Sequence, residues 1–158
     1  MNCNFTGEWQ MDLKASDTLA PVLRELGVPR LLAAVVTRLA VTQSIRHNDE
    51  QVEIIVRTPL SIDTMLLSLD GSAGLLPGIT GGSTLGASTW LDNERLETRQ
   101  CVDEGARLDD AHCKLFVTTR SLLDGGTCLL EYCSVVKDGV VVEGATARRI
   151  LRRTRSKQ

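Results

Sequence analysis

Residues 18–40 read TLAPVLRELGVPRLLAAVVTRLA, and the architecture turns on this stretch. Leu19, Val22, Leu23 and Leu26 fall at the i, i+3, i+4, i+7 spacing of one helical face. Ser16, Asp17 and Thr18 offer N-caps, which leaves Pro21 in a first turn where its missing N–H does no harm. Gly27 suits the left-handed position just past a helix end, and Pro29 fits the first position of a second helix. Leu32, Val35, Val36 and Leu39 then repeat the helical spacing. The segment predicts two short amphipathic helices joined by a tight turn. They are too short to make a bundle, so they must cover something else.

What they cover is written on either side. Upstream, residues 5–13 alternate: Phe5, Gly7, Trp9 and Met11 point one way, and Thr6, Glu8, Gln10 and Asp12 the other. That is the period of a half-buried strand. Downstream, residues 41–47, 51–58 and 61–69 read as strands broken at His47-Asn48-Asp49, Thr58-Pro59 and Asp70-Gly71. Residues 71–82, rich in Gly and carrying Pro77, read as a loop with room for one short strand. Further strands are expected over 83–91, 95–101, 112–122, 127–137 and 140–153. Asp92-Asn93, Asp124-Gly125-Gly126 and Asp138-Gly139 provide turns among them. Sequential strands with short turns pair antiparallel. The expected fold is mainly β: a ten-stranded antiparallel up-and-down β-barrel with a two-helix lid between its first and second strands, in one domain over 1–158. A barrel of that size hides its edges and encloses a cavity.

Composition is consistent with a folded chain. Of 158 residues, 42% are hydrophobic and 24% charged, close to the globular average, which argues against disorder. Aromatic residues make up only 3%, too few for a protein that stacks nucleic-acid bases. The net charge of -2 is unevenly spread. Arg148, Arg149, Arg152, Arg153, Arg155 and Lys157 make a basic end on an otherwise acidic chain. The five cysteines, Cys3, Cys101, Cys113, Cys128 and Cys133, contain no C-x-x-C pair and no zinc spacing. With no basic and apolar leader at the start, they predict free thiols in a reducing, cytoplasmic setting. No metal and no cofactor is expected. Asp109-Asp110-x-His112 and His47 read as turn residues rather than as a site.

The order of motifs resembles the intracellular lipid-binding family, the fatty-acid-binding and cellular retinoid-binding proteins of the calycin superfamily. Phe5-Thr6-Gly7-Glu8-Trp9 is similar to that family's first strand, F-x-G-x-W. Leu26-Gly27-Val28 is similar to its L-G-V between the helices, and Arg57-Thr58 to its I-R-T. Leu96 to Gln100 resembles the strand ending in a cavity-facing Gln. Thr118-Thr119-Arg120-Ser121-Leu122, followed by Asp124-Gly125, resembles the K-R-x-L-x-D-G hairpin. Ala147-Arg148-Arg149-Ile150-Leu151 resembles the last strand, T-R-I-Y. The likeness covers nearly the whole chain and rests on order and spacing rather than on any one motif. True lipocalins share Gly7-x-Trp9 but have no helix pair between their first two strands.

The resemblance implies non-covalent binding and intracellular transport of a long-chain fatty acid or similar hydrophobic carboxylate, with no reaction catalysed. It carries the family's carboxylate-holding roles onto Arg120, Arg149 and Gln100. Leu151 stands where the family has Tyr, a departure that leaves room for a retinoid, a sterol-like molecule or a pigment. Phe116 and Thr118 share the face of Arg120. An Arg fork suits two carboxylate oxygens, and apolar walls suit the tail. Arg149 has an alternative role, stacking on Trp9. Leu23, Leu26, Leu31 and Val35 are assigned to the portal and lid. Arg24, Arg30 and Arg38 face outward, either simply solvated or touching an anionic membrane surface during transfer. A monomer that binds no nucleic acid is expected. Two other classes stay open: an interaction protein acting through its basic end, and an enzyme acting on a lipid.

Overall fold

The structure is a computed structural model that describes residues 2–154. Its strands are β1 (Gly7–Met11), β2 (Thr42–His47), β3 (Gln51–Arg57), β4 (Ile62–Ser68) and β5 (Gly74–Pro77). These are followed by β6 (Ser83–Trp90), β7 (Leu96–Cys101), β8 (Leu115–Leu123), β9 (Cys128–Lys137) and β10 (Val140–Arg153). They form one antiparallel sheet in the order β4-β3-β2-β1-β10-β9-β8-β7-β6-β5. The ladder is not closed between β4 and β5, and the barrel has a seam there. The two edges still approach: a Cβ on Gly74 would lie 3.0 Å from Leu67 Cδ2. The short strand allowed for within 71–82 is β5.

Two helices, α1 (Ala20–Glu25) and α2 (Arg30–Val36), separate β1 from β2. The expected side-chain N-cap is absent. Leu19 occupies that position without a side-chain cap bond, and Thr18 Oγ1 only accepts the Ala20 N–H, at 3.3 Å. Pro29 is the N-cap of α2 rather than its first helical residue. Gly27 follows the C-cap with φ +92°, a conformation that L side chains rarely adopt. Packing therefore holds α1 more than capping does. Val22 and Leu26 are buried against Val135, Ala145 and Ala147 of β9 and β10. Small side chains on β10 let the helix approach closely. Lys114 adds a tether to the Glu25 carbonyl and, at 3.2 Å, to its carboxylate.

The main core fills the end of the barrel away from the lid. Phe5, Trp9, Ile45, Ile54, Leu96, Leu129 and Leu151 are almost wholly buried there. Phe5 stacks on Trp90 at 5.6 Å between centroids, and the Trp9 indole N–H donates to the Phe5 carbonyl at 3.0 Å. His47 Nε2 accepts the Phe5 N–H at 2.9 Å, so this histidine anchors the segment that leads into β1. A smaller cluster of Cys101, Cys113 and Leu115 lies under the 102–114 connection. Among the described residues, no helix is long and apolar enough to cross a membrane.

Candidate functional site

Alternation along the strands fixes which side chains enter the barrel. On β8 these are Phe116, Thr118 and Arg120, and on β9 Leu129, Glu131, Cys133 and Val135. On β10 they are Ala145, Ala147, Arg149 and Leu151. Register then sets Arg120 opposite Glu131, and Glu131 opposite Arg149. Three charged side chains thus stand side by side on neighbouring strands.

They form the floor of a cavity of about 270 Å³. Its walls include Leu19, Leu23 and Leu26 from the lid side, Val56 and Met65 from β3 and β4, and Phe116 from β8. Asp63 is exposed at the rim, whereas Gln43, Arg120 and Glu131 are buried. The cavity therefore runs from an open, partly apolar mouth to a buried polar floor.

Glu131 holds that floor together. Its Oε2 lies 3.0 Å from Arg120 Nη2, and the two side chains are only 2% and 3% exposed. Its Oε1 accepts a hydrogen bond from Gln43 Nε2 at 2.7 Å and lies 4.0 Å from Arg149 Nη1. Arg120 Nη1 also donates to Thr98 Oγ1 at 3.3 Å, and Thr98 continues to Ser88 at 3.2 Å. Two buried atoms have no partner among the described residues, Gln43 Oε1 and Arg120 Nε. Beside them, burial pushes the Cys133 thiol up to about 11; Glu131 pushes the same way, and Arg149 and Arg120 oppose it.

The residues expected from the sequence separate into two groups. Arg120, Arg149, Gln100, Phe116, Thr118, Leu23 and Leu26 all line the cavity. Gln100 is committed elsewhere, since its amide nitrogen donates to the Pro77 carbonyl at 2.8 Å and to Thr84 Oγ1 at 2.9 Å. Leu151 is not on the cavity wall. It is fully buried in the main core, in register with Met11 and Leu129. Leu31 and Val35 are not on the wall either. They are 84% and 53% exposed, because α2 buries only Ala33. Arg149 does not stack on Trp9. Arg153 does, with its guanidinium carbon 4.3 Å from the ring centroid.

Glu131 and Gln43 were missed. A signal for Glu131 was present, since it is the one charge on a face otherwise made of Leu129, Cys133 and Val135. Asp109, Asp110 and His112 form no metal site. Asp109 pairs with Arg107 and His112 with Asp138, both at the surface. No cluster of three potential metal ligands exists among the described residues.

No family model matches the sequence, and no curated protein matches it. Solved structures do. A Schistosoma mansoni fatty acid binding protein in complex with arachidonic acid superposes with a TM-score of 0.74, at 16% identity over 96% of each chain. The fold is that of the fatty-acid-binding proteins. Apo Caenorhabditis elegans lipid binding protein 8 gives a TM-score of 0.73, at 15% identity over 95% of each chain. Echinococcus granulosus fatty-acid-binding protein 1 gives 0.73, at 13% identity over 96% of this chain and 98% of that one. The likeness in fold thus extends over nearly the whole chain, at 13–16% sequence identity.

Proposed function

We propose that the protein binds one hydrophobic small molecule non-covalently in its barrel and carries it, without chemical turnover, as a cytoplasmic monomer. The observation that carries this reading is the cavity itself: apolar walls, a mouth beside the lid, and buried hydrogen-bonding groups at the floor. Burying a chain in such walls contributes about 0.8 kcal/mol per methylene. Solved proteins of the same fold, described as binding or transporting fatty acids, support it.

A long-chain fatty acid is the first ligand to consider. Arg149 would receive its carboxylate, because that side chain is 16% exposed and its guanidinium is held only loosely, with Glu131 Oε1 4.0 Å away. A specific observation favours a second reading, an uncharged ligand: Arg120 already has a carboxylate partner in Glu131. Loading would involve the lid. Arg24, Arg30 and Arg38 are exposed near the exposed Leu31, Leu32 and Val35, a combination suited to passing contact with an anionic membrane surface. The basic end supports a partner-binding role less well. Arg152 pairs with Asp12 at 2.8 Å and Arg153 covers Trp9, while Arg155 and Lys157 lie outside the described residues.

Native mass spectrometry of the purified protein, followed by denaturing extraction, tests the carrier reading. One equivalent of a co-purifying lipid, or a rise in thermal stability with members of an acid and alcohol lipid panel, is the expected result. A clean apo mass with no stabilisation by any member would overturn it.

A further inference from the structure

The cavity floor was expected to present two arginines to a ligand acid. Instead it holds an acid of its own. Glu131 sits between Arg120 and Arg149 on the middle one of three adjacent strands, with Arg120 at 3.0 Å and Arg149 at 4.0 Å. The position that a ligand carboxylate would take against the Arg120 fork is therefore filled from inside the chain. Asp63 stands exposed at the rim, so the charges at the floor are Arg120, Glu131 and Arg149. A carboxylate entering this space would lose its hydration and find one uncommitted guanidinium, Arg149, in place of two, a costly exchange in a poorly solvated site.

The hydrogen-bond inventory points the same way. Gln43 is 2% exposed, and its amide orientation is fixed by donation to Glu131 at 2.7 Å. Turning the amide over would set oxygen against oxygen. Its Oε1 is left as a buried acceptor without a donor, and Arg120 Nε is a buried donor without an acceptor. A carboxylate only accepts hydrogen bonds and has nothing to offer Gln43, whereas a hydroxyl both donates and accepts.

We infer that Glu131, acting as a built-in counter-ion, makes this cavity select a lipid with an uncharged hydroxyl head over the matching fatty acid. The inference rests on the carrier reading above and specifies the ligand class of that same site. Three features carry it: the Glu131–Arg120 pair, which leaves Arg149 as the one uncommitted guanidinium among the lining residues, the acid already seated between the two arginines, and the unpartnered Gln43 oxygen. Arg149, the more weakly held of the two guanidiniums, remains to donate to the hydroxyl oxygen. Binding moves no bond and no formal charge.

The test compares three ligands sharing one chain: tetradecanol, methyl tetradecanoate and tetradecanoate. Each would be measured on the full chain at neutral pH by displacement of an uncharged fluorescent probe such as Nile red. The expected order is alcohol first, ester second and acid last, with alcohol and acid separated by about tenfold or more. In Glu131→Gln, which keeps the shape and removes the charge, the acid should gain about tenfold on the alcohol. A wild-type preference for tetradecanoate would overturn the inference and leave the carrier reading standing. An ester binding as tightly as the alcohol would overturn the role given to the O–H. Failure of all three, with no stabilisation by any other lipid, would overturn inference and carrier reading together. Were Glu131→Gln too unstable to purify, the wild-type order decides alone.

Discussion

Glu131 Oε2 lies 3.0 Å from Arg120 Nη2 in a pair that water barely reaches. Such a pair adds little net stability, yet each partner makes the other tolerable. Removing one leaves a buried, uncompensated charge. Glu131→Ala and Arg120→Ala should each cost about 3–5 kcal/mol in urea unfolding. The double change to leucine should cost much less than the two single losses combined, because it removes both charges at once. Additive losses would show that the two side chains do not act as a pair.

A second prediction concerns the first strand. Arg153 covers the Trp9 ring at 4.3 Å, donates to the Thr6 carbonyl at 2.8 Å and donates to the Gly126 carbonyl at 3.0 Å. Arg153→Lys keeps the charge but loses the fork, so a loss of about 1–2 kcal/mol is expected, nearly as large as for Arg153→Ala. Gly7→Ala should also destabilise the protein, because its Cβ would fall 2.5 Å from Arg153 Nη1. Thermal unfolding checks both, and a silent Arg153→Lys would reduce the contact to simple charge.

Acid should act through His47. Burial lowers its pKa below the ordinary histidine value, and its Nε2 accepts the Phe5 N–H only when neutral. The folded state thus binds the proton less readily than the unfolded chain. Its contribution is present above the unfolded value of about 6.5 and is lost as pH falls through the lower folded value. His112 has the opposite sign. Asp138, bonded at 2.9 Å, raises its pKa, so its stabilisation is present below about 6.5 and lost as pH rises through the folded value. His112 is exposed, so His47 should dominate. The melting temperature should fall from pH about 6.5 to about 5, and His47→Gln should flatten that slope. An unchanged slope in the variant would show that His47 does not set the acid sensitivity.

The thiols should be quiet. Burial, together with its neighbour Cys113, pushes Cys101 up to about 12, and burial pushes Cys133 up to about 11. Neither presents thiolate near neutral pH, and thiolate is the reactive form. At pH about 8, alkylation of Cys101 and Cys133 should be slow in the folded protein and fast after denaturation. Rapid labelling of Cys133 without denaturant would mean that the cavity floor is wetter than this geometry allows.

Much of the fold could be read from local pattern. Alternation at Phe5–Trp9–Met11 and the 3.6-residue spacing at Leu19–Leu26 are one-dimensional signals, and β10 ends where its sequence pattern ends. Direction into the barrel was legible too, since Phe116, Thr118, Arg120 and Arg149 all reach the cavity. What escaped depends on pairing across strands. Glu131 acquires its meaning only when β9 is laid between β8 and β10, and Gln43 only when β2 comes round to meet it. Arg149 and Arg153 share one face of β10, so alternation alone could not say which covers Trp9. Register with β1 sets Arg153 opposite Trp9. Leu31 and Val35 were assigned to the lid, but the short α2 buries only Ala33 and leaves both of them exposed.

A ligand held inside the barrel would be seen in a nuclear magnetic resonance titration of isotope-labelled protein with tetradecanol and with tetradecanoate. Saturation is expected at one equivalent of at least one of them. The largest shifts should fall on the side-chain amide of Gln43, the Arg149 Nε–H and the backbone around Thr118 and Cys133. Shifts confined to the exposed face of α2 at Leu31, Leu32 and Val35, or none with either ligand, would contradict it.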